Sequence, residues 1–97
     1  MAHYVTLVNF TEQGARNIKE TIKRTAAAKQ AAAAAGVTIK EVFWTQGQYD
    51  IVIISESNDE FAANAVVLNA VKGGNIRTQV MRAFTAAEMQ KILDKVA

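Results

Sequence analysis

The hydrophobic pattern divides the chain into short stretches with a period of two and longer stretches with a helical period. Over residues 4–10, Val5, Leu7 and Asn9 fall on one side and the intervening residues on the other, which predicts a first β-strand. Residues 75–83 alternate in the same way, so a last strand is expected there.

Two further strands are expected over residues 37–44 and 49–55, where β-branched and aromatic side chains dominate. Gly47-Gln48 lies between them, and glycine at the first central position suits a type II′ turn. A tight antiparallel hairpin is therefore predicted. The four consecutive apolar residues at 51–54 are typical of a strand that is covered on both faces.

A long helix is predicted between the first two strands. Thr11 offers an N-cap, and Glu12 follows it in the first turn, where the helix dipole favours a negative charge. The helix should extend over about residues 12–35, because its second half is rich in alanine and Gly36 stands at the usual stop position.

Serine or threonine followed three residues later by glutamate opens two further helices. Ser57 with Glu60 predicts a helix over about residues 58–72, and Thr85 with Glu88 predicts a terminal helix. The first of these has two adjoining rows, one formed by Phe61, Ala65 and Leu68 and the other by Ala62, Val66 and Asn69. The terminal helix carries a single stripe, formed by Met89, Ile92, Leu93 and Val96.

The predicted order is β-α-β-β-α-β with one final helix, which is the α+β ferredoxin-like split βαβ pattern. In this arrangement the sheet is antiparallel, its strand order is 4-1-3-2, and the two long helices cover one face. The other face also carries apolar side chains, so we expect a homodimer in which two identical sheets cover each other. Residues 1–97 are expected to form one domain.

The antiparallel order brings the ends of the first two strands and the starts of the last two to one edge of the sheet. Polar and aromatic groups converge there, and a small anionic or carbonyl-bearing ligand would need such groups. The candidate ligand-binding residues are Asn9, Trp44, Tyr49, Asp50 and Arg77, with Thr11, Gln46 and Thr78 beside them.

A structural role for the same residues is an alternative. Asp50 and Arg77 flank the first strand and could pair across its end, and Trp44 and Tyr49 could be packing residues with a polar tip at the rim. The opposite edge of the sheet collects His3, Glu56 and Arg82, where a His–Glu contact would suit proton transfer.

Composition excludes several kinds of chemistry. The 97 residues contain no cysteine and one histidine, so disulfides, thiol catalysis and a dedicated transition-metal site are not expected, and no cofactor is predicted. The net charge of +2 is too small to argue for nucleic acid by itself. No apolar run is long enough to span a bilayer, and the first residues lack the basic start of a signal peptide, so the expected location is cytoplasmic.

With these residues in view, the chain resembles the GYD domain family. The segments that carry the resemblance are Asn9-Phe10-Thr11-Glu12-Gln13-Gly14, Trp44-Thr45-Gln46-Gly47-Gln48-Tyr49-Asp50, Glu56, Arg77-Thr78 and Ala83-Phe84-Thr85. The family is similar to the dimeric α/β-barrel group of ferredoxin-like proteins, which implies a homodimer. Related barrel groups include cofactor-free monooxygenases, haem enzymes and ligand-sensing modules, so the resemblance implies no single activity and no catalytic residue.

The sequence leaves three functions open. The first is a dimer that binds a small molecule at the edge that contains residues 44–50. The second is a cofactor-independent enzyme of the monooxygenase-like barrel type, with His3 or Asp50 as the base and Arg77 steadying an enolate or carboxylate. The third is nucleic-acid binding through the basic residues of the first helix, which are Arg16, Lys19, Lys23 and Lys29.

Overall fold

The α+β ferredoxin-like fold predicted from the sequence is confirmed by a computed structural model that describes residues 1–97. All four predicted strands are present, and each stretch predicted to be helical contains helix, in the predicted order. No helix is both long and apolar enough to cross a membrane. The elements are β1 (Ala2–Phe10), α1 (Glu12–Arg16), a 3₁₀ turn (Ile18–Glu20), α2 (Thr21–Ala34), β2 (Val37–Trp44), β3 (Ile51–Ser57), α3 (Glu60–Val71), β4 (Ile76–Ala83) and α4 (Ala86–Leu93).

The four strands form one antiparallel sheet in the order β2-β3-β1-β4, which is the predicted order counted from the other edge. Ile51 at the start of β3 lies opposite both Val8 of β1 and Trp44 of β2. Ile76 at the start of β4 lies opposite Phe10. The edge at which polar groups were expected to converge therefore forms as predicted.

One face of the sheet packs against the helices. Tyr4 and Val8 are buried on this face of β1, and Tyr4 forms the core cluster with Ala32 of α2, Val37 of β2 and Ala63 of α3. Ala32 is completely buried, because a methyl side chain lets the backbone of α2 approach the sheet closely.

The two rows on α3 have different surroundings. Ala62, Ala63 and Val66 pack against the core, whereas Phe61 is 83% exposed and Leu68 is 67% exposed. The side chains of α3 that face inward are thus smaller than these two that remain outside. The row that contains Phe61 and Leu68 is thus left on the surface of the helical layer.

The prediction of one continuous helix over residues 12–35 is wrong in its first third. The α-helix ends at Arg16, and a 3₁₀ turn at Ile18–Glu20 precedes α2. Asn17 causes the break, because its backbone leaves the helical region (φ −103°, ψ 32°) and its side-chain amide donates to the carbonyl of Gln13. Arg24 then donates to the carbonyl of Asn17 at 2.9 Å.

The N-cap of α3 is Asp59, not the predicted Ser57. The Asp59 carboxylate accepts hydrogen bonds from the backbone N–H groups of Phe61 and Ala62. Ser57 is fully buried, and its hydroxyl instead donates to the carbonyl of Gly36 and accepts from the N–H of Asp59. Because the Ser57 hydroxyl is engaged in this tertiary contact, Asp59 takes the N-cap position and the helix starts later than predicted. The capping box at the start of α4 is confirmed.

The tight two-residue hairpin is also wrong. Residues 45–50 form a longer loop between β2 and β3, and Gly47 has a φ of 143° within it. The loop is closed by Thr45, whose N–H donates to the carbonyl of Asp50 and whose hydroxyl donates to that of Tyr49. Because these side-chain and backbone bonds close the loop, Tyr49 and Asp50 lie outside the strand.

Replacement of Gly14 by alanine tests the close approach of α1 to the chain before β4. A Cβ at Gly14 would lie 2.0 Å from the carbonyl oxygen of Asn75, so the two backbones must separate. We expect the free energy of unfolding to fall by about 1–3 kcal/mol in urea titrations. The control is Gly73→Ala, whose Cβ would meet no atom closer than 3.4 Å. Equal stability of the two variants would contradict the close contact.

Candidate functional site

The structure divides the five candidate residues between different surroundings. Asn9, Tyr49 and Arg77 lie together on the face of the sheet that faces away from the helices, which we call the outer face. They line a groove of about 260 Å³, which we call the outer groove. Its remaining lining residues are Leu7, Thr78 and Gln79.

The polar groups of the outer groove are partly paired with one another. The Tyr49 hydroxyl donates to the Gln79 side-chain oxygen at 3.1 Å. The Asn9 amide, in its hydrogen-bonded orientation, donates to the carbonyls of Val8 and Gln48. Arg77 is exposed and takes part in none of the ion pairs of the structure, so its guanidinium is free to bind an anion.

Asp50 is held by the backbone of β1. Its carboxylate accepts a hydrogen bond from the N–H of Phe10 at 2.8 Å, and its own N–H donates to the carbonyl of Val8 at 2.8 Å. These two bonds extend the pairing of β1 with β3 by one residue, to Asp50, which precedes the first residue of β3. No ion pair joins Asp50 to Arg77, so the carboxylate acts in strand pairing at this site.

Trp44 lies on the helix side of the sheet, away from the outer groove. Its indole N–H donates to the hydroxyl of Thr21 at 3.0 Å, and this bond ties the end of β2 to the first residue of α2. The ring is 42% exposed, so it packs at a rim and not in the core. Sequence reasoning grouped Trp44 with Tyr49 because both lie where the strand ends meet at one edge of the sheet, and this position does not say which face each side chain occupies.

The outer face is apolar beyond the groove, and the helices of the core pack on the opposite face. Its two most exposed apolar side chains are Phe43, at 56%, and Met81, at 46%. The strand register places four half-buried aliphatic residues between them, namely Val5, Leu7, Val52 and Ile54. Contiguous exposed apolar surfaces are in general typical of interaction sites.

The opposite edge of the sheet holds a cluster of charged groups around His3. The His3 Nε2 atom lies 3.3 Å from the carboxylate of Glu56, as the sequence suggested, and its Nδ1 atom lies 3.6 Å from Glu88 of α4. Two further ion pairs complete the cluster: Lys40 lies beside the carboxylate of Glu56, and Arg82 lies beside that of Glu88. Sequence reasoning missed Glu88 in this cluster, because its capping-box position indicates a helix start and not a contact with His3.

The pKa of Glu88 is lowered from its ordinary value of 4.5. The main cause is the hydrogen bond from the backbone N–H of Thr85, and the Thr85 hydroxyl and the charges of Arg82 and His3 act in the same direction. The ionised carboxylate therefore caps the start of α4, and it also lies 3.6 Å from His3 and 3.8 Å from Arg82 of the sheet.

Comparison with known proteins identifies a family. The family model of the GYD domain matches residues 4–93 of the chain. Among curated proteins no sequence matches significantly.

Solved structures share the fold at low identity. MtbAldR is 10% identical with a TM-score of 0.67, and the match covers 87% of this chain and 52% of that one. TTHA0845 from Thermus thermophilus is 22% identical with a TM-score of 0.55, covering 89% and 96%. The hypothetical protein PHS023 from Pyrococcus horikoshii is 18% identical with a TM-score of 0.58, covering 88% and 92%. This chain thus spans about half of MtbAldR, and at these identities the likeness shows the fold alone.

The lowered pKa of Glu88 predicts a dependence of stability on pH. A group with a lowered pKa in the folded state stabilises it above the pKa of the unfolded state and loses this effect as the pH falls through the folded value. We expect the wild type to be more stable than Glu88→Gln at neutral pH, and the difference to disappear as the pH falls below about 4.5 through the folded-state pKa.

Thermal unfolding of both proteins across this pH range measures the effect. The control is Glu60→Gln, which removes a carboxylate from the first turn of α3 where no hydrogen bond to that side chain is formed. The control should keep the pH dependence of the wild type. A constant stability difference between wild type and Glu88→Gln at all pH values would contradict the assignment.

Proposed function

Because the chain belongs to the GYD domain family, we propose that it is a homodimer that binds a small anionic or carbonyl-bearing molecule in the outer groove. The observation that carries this proposal is the position of the groove. The unpaired guanidinium of Arg77 lies at the margin of the apolar sheet face on which the core helices α2 and α3 do not pack.

The apolar outer face supports self-association. Exposed Phe43 and Met81, with the aliphatic side chains between them, form one patch across the sheet. Most soluble oligomers are symmetric dimers that use the same patch twice, so a second copy is the simplest cover for this face. Each apolar side chain buried there adds to the free energy of association, because it loses its contact with water.

The outer groove lies where such a dimer would close over it. Leu7 belongs both to the apolar patch and to the lining of the groove. A partner sheet placed over the patch would shield the groove from water and strengthen the attraction between Arg77 and an anion. The groove is then a complete site only in the dimer.

The groups in the groove suit a small carboxylate. Arg77 can hold both carboxylate oxygens with parallel N–H bonds, and the hydroxyl of Tyr49 and the amide of Gln79 can bond to a neighbouring carbonyl. The volume of about 260 Å³ lies below the ~300 Å³ at which drug-sized sites begin. The expected ligand is therefore a small organic acid.

The enzyme alternative has less support from the positions of its residues. His3 and Asn9 are six residues apart on β1, about 20 Å along a strand, and Arg77 pairs with Asn9. The carboxylate of Asp50 is already bonded to the N–H of Phe10. Neither proposed base is therefore free beside the guanidinium that would steady an enolate.

Nucleic-acid binding is also less well supported. Arg16 is paired with Glu12 at 2.9 Å, and the 3₁₀ turn at Ile18–Glu20 interrupts the row of basic residues that continues to Lys23 and Lys29. Because the row does not follow one straight helix, the cations present no continuous stripe to a phosphate backbone.

The dimer is tested by introducing a lysine on each side of the molecule. Phe43→Lys places a charge in the apolar outer face, and Phe61→Lys makes the same change on the helical side, where the ring is 83% exposed. We expect the wild type to sediment as a dimer at low micromolar concentration. Phe43→Lys should raise the dissociation constant at least tenfold, because the lysine would have to be desolvated in the interface. Phe61→Lys should leave it unchanged.

Sedimentation of the wild type only as a monomer would contradict the proposed dimer. Equal weakening by Phe43→Lys and Phe61→Lys would overturn its placement on the outer face. Met81→Lys provides a second variant on the same face if Phe43→Lys does not fold.

The ligand is tested by nuclear magnetic resonance titration with acetate, pyruvate and succinate as probes. We expect saturable shifts of the backbone amides that line the outer groove. Arg77→Gln should weaken binding by at least tenfold, since it removes the charged donors. The matched control is Arg16→Gln, an exposed arginine that does not line the groove, which should bind as the wild type does. Equal affinities of the two variants would rule out the groove as the binding site.

A further inference from the structure

A second and larger cavity lies on the other face of the sheet, between the sheet and helices α2 and α3. Its volume is about 350 Å³, and 11 of its 16 lining residues are hydrophobic. The sheet contributes Phe10, Ile51, Ile53 and Ile76 to its floor, and the helices contribute mainly alanines. We call this space the inner cleft.

The alanines of α2 are the reason that the inner cleft is open. Ala28 and Ala31 face it, at positions where a leucine or isoleucine would fill the space below the helix. The isoleucine that α2 does carry, Ile22, points to solvent and is 70% exposed. Ala27, Ala31 and Ala35 of the lining are exposed, so the cleft opens to solvent, and an apolar opening of this size has room for an apolar guest.

A cationic group stands at one end of the cleft. Arg24 lines it together with the hydroxyl-bearing residues Thr21 and Thr25. The Nη1 atom of Arg24 donates to the carbonyl of Asn17, but its Nη2 atom is shielded from solvent and has no hydrogen-bond partner. A guanidinium nitrogen removed from water without an acceptor is costly, so the site lacks an anionic or carbonyl oxygen.

We propose that the inner cleft binds a monocarboxylate with an apolar body, such as a medium-chain fatty acid. The alkyl chain lies along the alanines of α2, over Ile51 and Ile53, and the carboxylate accepts a hydrogen bond from Nη2 of Arg24 beside the Thr21 and Thr25 hydroxyls. This site is separate from the outer groove, because the sheet lies between them, and it does not depend on the dimer or on Arg77.

The chain contains its own reporter for this site. Trp44 is the single tryptophan, and its indole N–H is bonded to the hydroxyl of Thr21, which lines the cleft. A carboxylate that binds beside Thr21 would alter this hydrogen bond and the polarity around the ring. The emission of Trp44 should therefore change on binding.

The test is a titration of the full chain with octanoate, kept below its micelle-forming concentration and followed by the fluorescence of Trp44 and by backbone amide shifts. We expect saturable binding, with amide shifts at α2 and at the start of β3. Octanol has the same chain without the charge, and it should bind at least tenfold more weakly.

Variants separate the cleft from other surfaces. Ala28→Leu fills the cleft with its own side chain and should abolish binding without loss of stability. Its matched control is Ala33→Leu on the exposed side of the same helix, which should bind as the wild type does. Arg24→Gln should remove the preference for octanoate over octanol.

Three results would overturn the proposal: no saturable response of the wild type to octanoate, equal binding by Ala28→Leu and Ala33→Leu, or equal affinities for octanoate and octanol. If Arg24→Gln fails to fold, the comparison of Ala28→Leu with Ala33→Leu still shows whether octanoate binds in the inner cleft. Arg77→Gln should bind octanoate normally, so failure of the outer groove and failure of the inner cleft are distinguishable.

Discussion

The central constraint in this molecule is that one antiparallel sheet carries apolar side chains on both faces, while its own core helices pack on one face only. The central strand β1 makes this visible, because Tyr4 and Val8 are buried under the helices while Val5 and Leu7 remain half-exposed on the outer face. Burial of apolar surface drives folding and association alike. A chain with this sheet therefore has unsatisfied apolar surface after its own fold is complete.

Much of the fold follows from local features of the sequence. Alternation identified the strands, and the caps at Thr11 and Thr85 fixed two helix starts, because N-cap bonds join residues three positions apart and do not depend on the rest of the fold. The misplaced features depend on distant partners. Ser57 looked like a cap, but it bonds to Gly36, 21 residues away, and Asn17 breaks the first helix with the help of Arg24.

The candidate site was predictable in position but not in its division between the two faces. Antiparallel order was enough to bring Asn9, Tyr49 and Arg77 to one edge. The face that Tyr49 occupies could not be read from alternation, because residues 45–50 leave the strand, although Trp44 still lies opposite Ile51 as a Gly47-Gln48 turn would require. Trp44 lies on the helix side and Tyr49 on the outer side. The inner cleft had no local signal, because alanine is read as a helix former whether or not space lies beneath it.

The two proposed sites are neighbours through the backbone of β1, although they open on opposite faces. Phe10 lines the inner cleft and the adjacent Asn9 lines the outer groove, so consecutive side chains of one strand reach both. Asp50 holds this part of β1 by bonding to the N–H of Phe10 and the carbonyl of Val8. A strand end fixed by two such bonds supports the shape of both openings. The same carboxylate that first looked like a ligand-binding group therefore acts best as the support that both sites share.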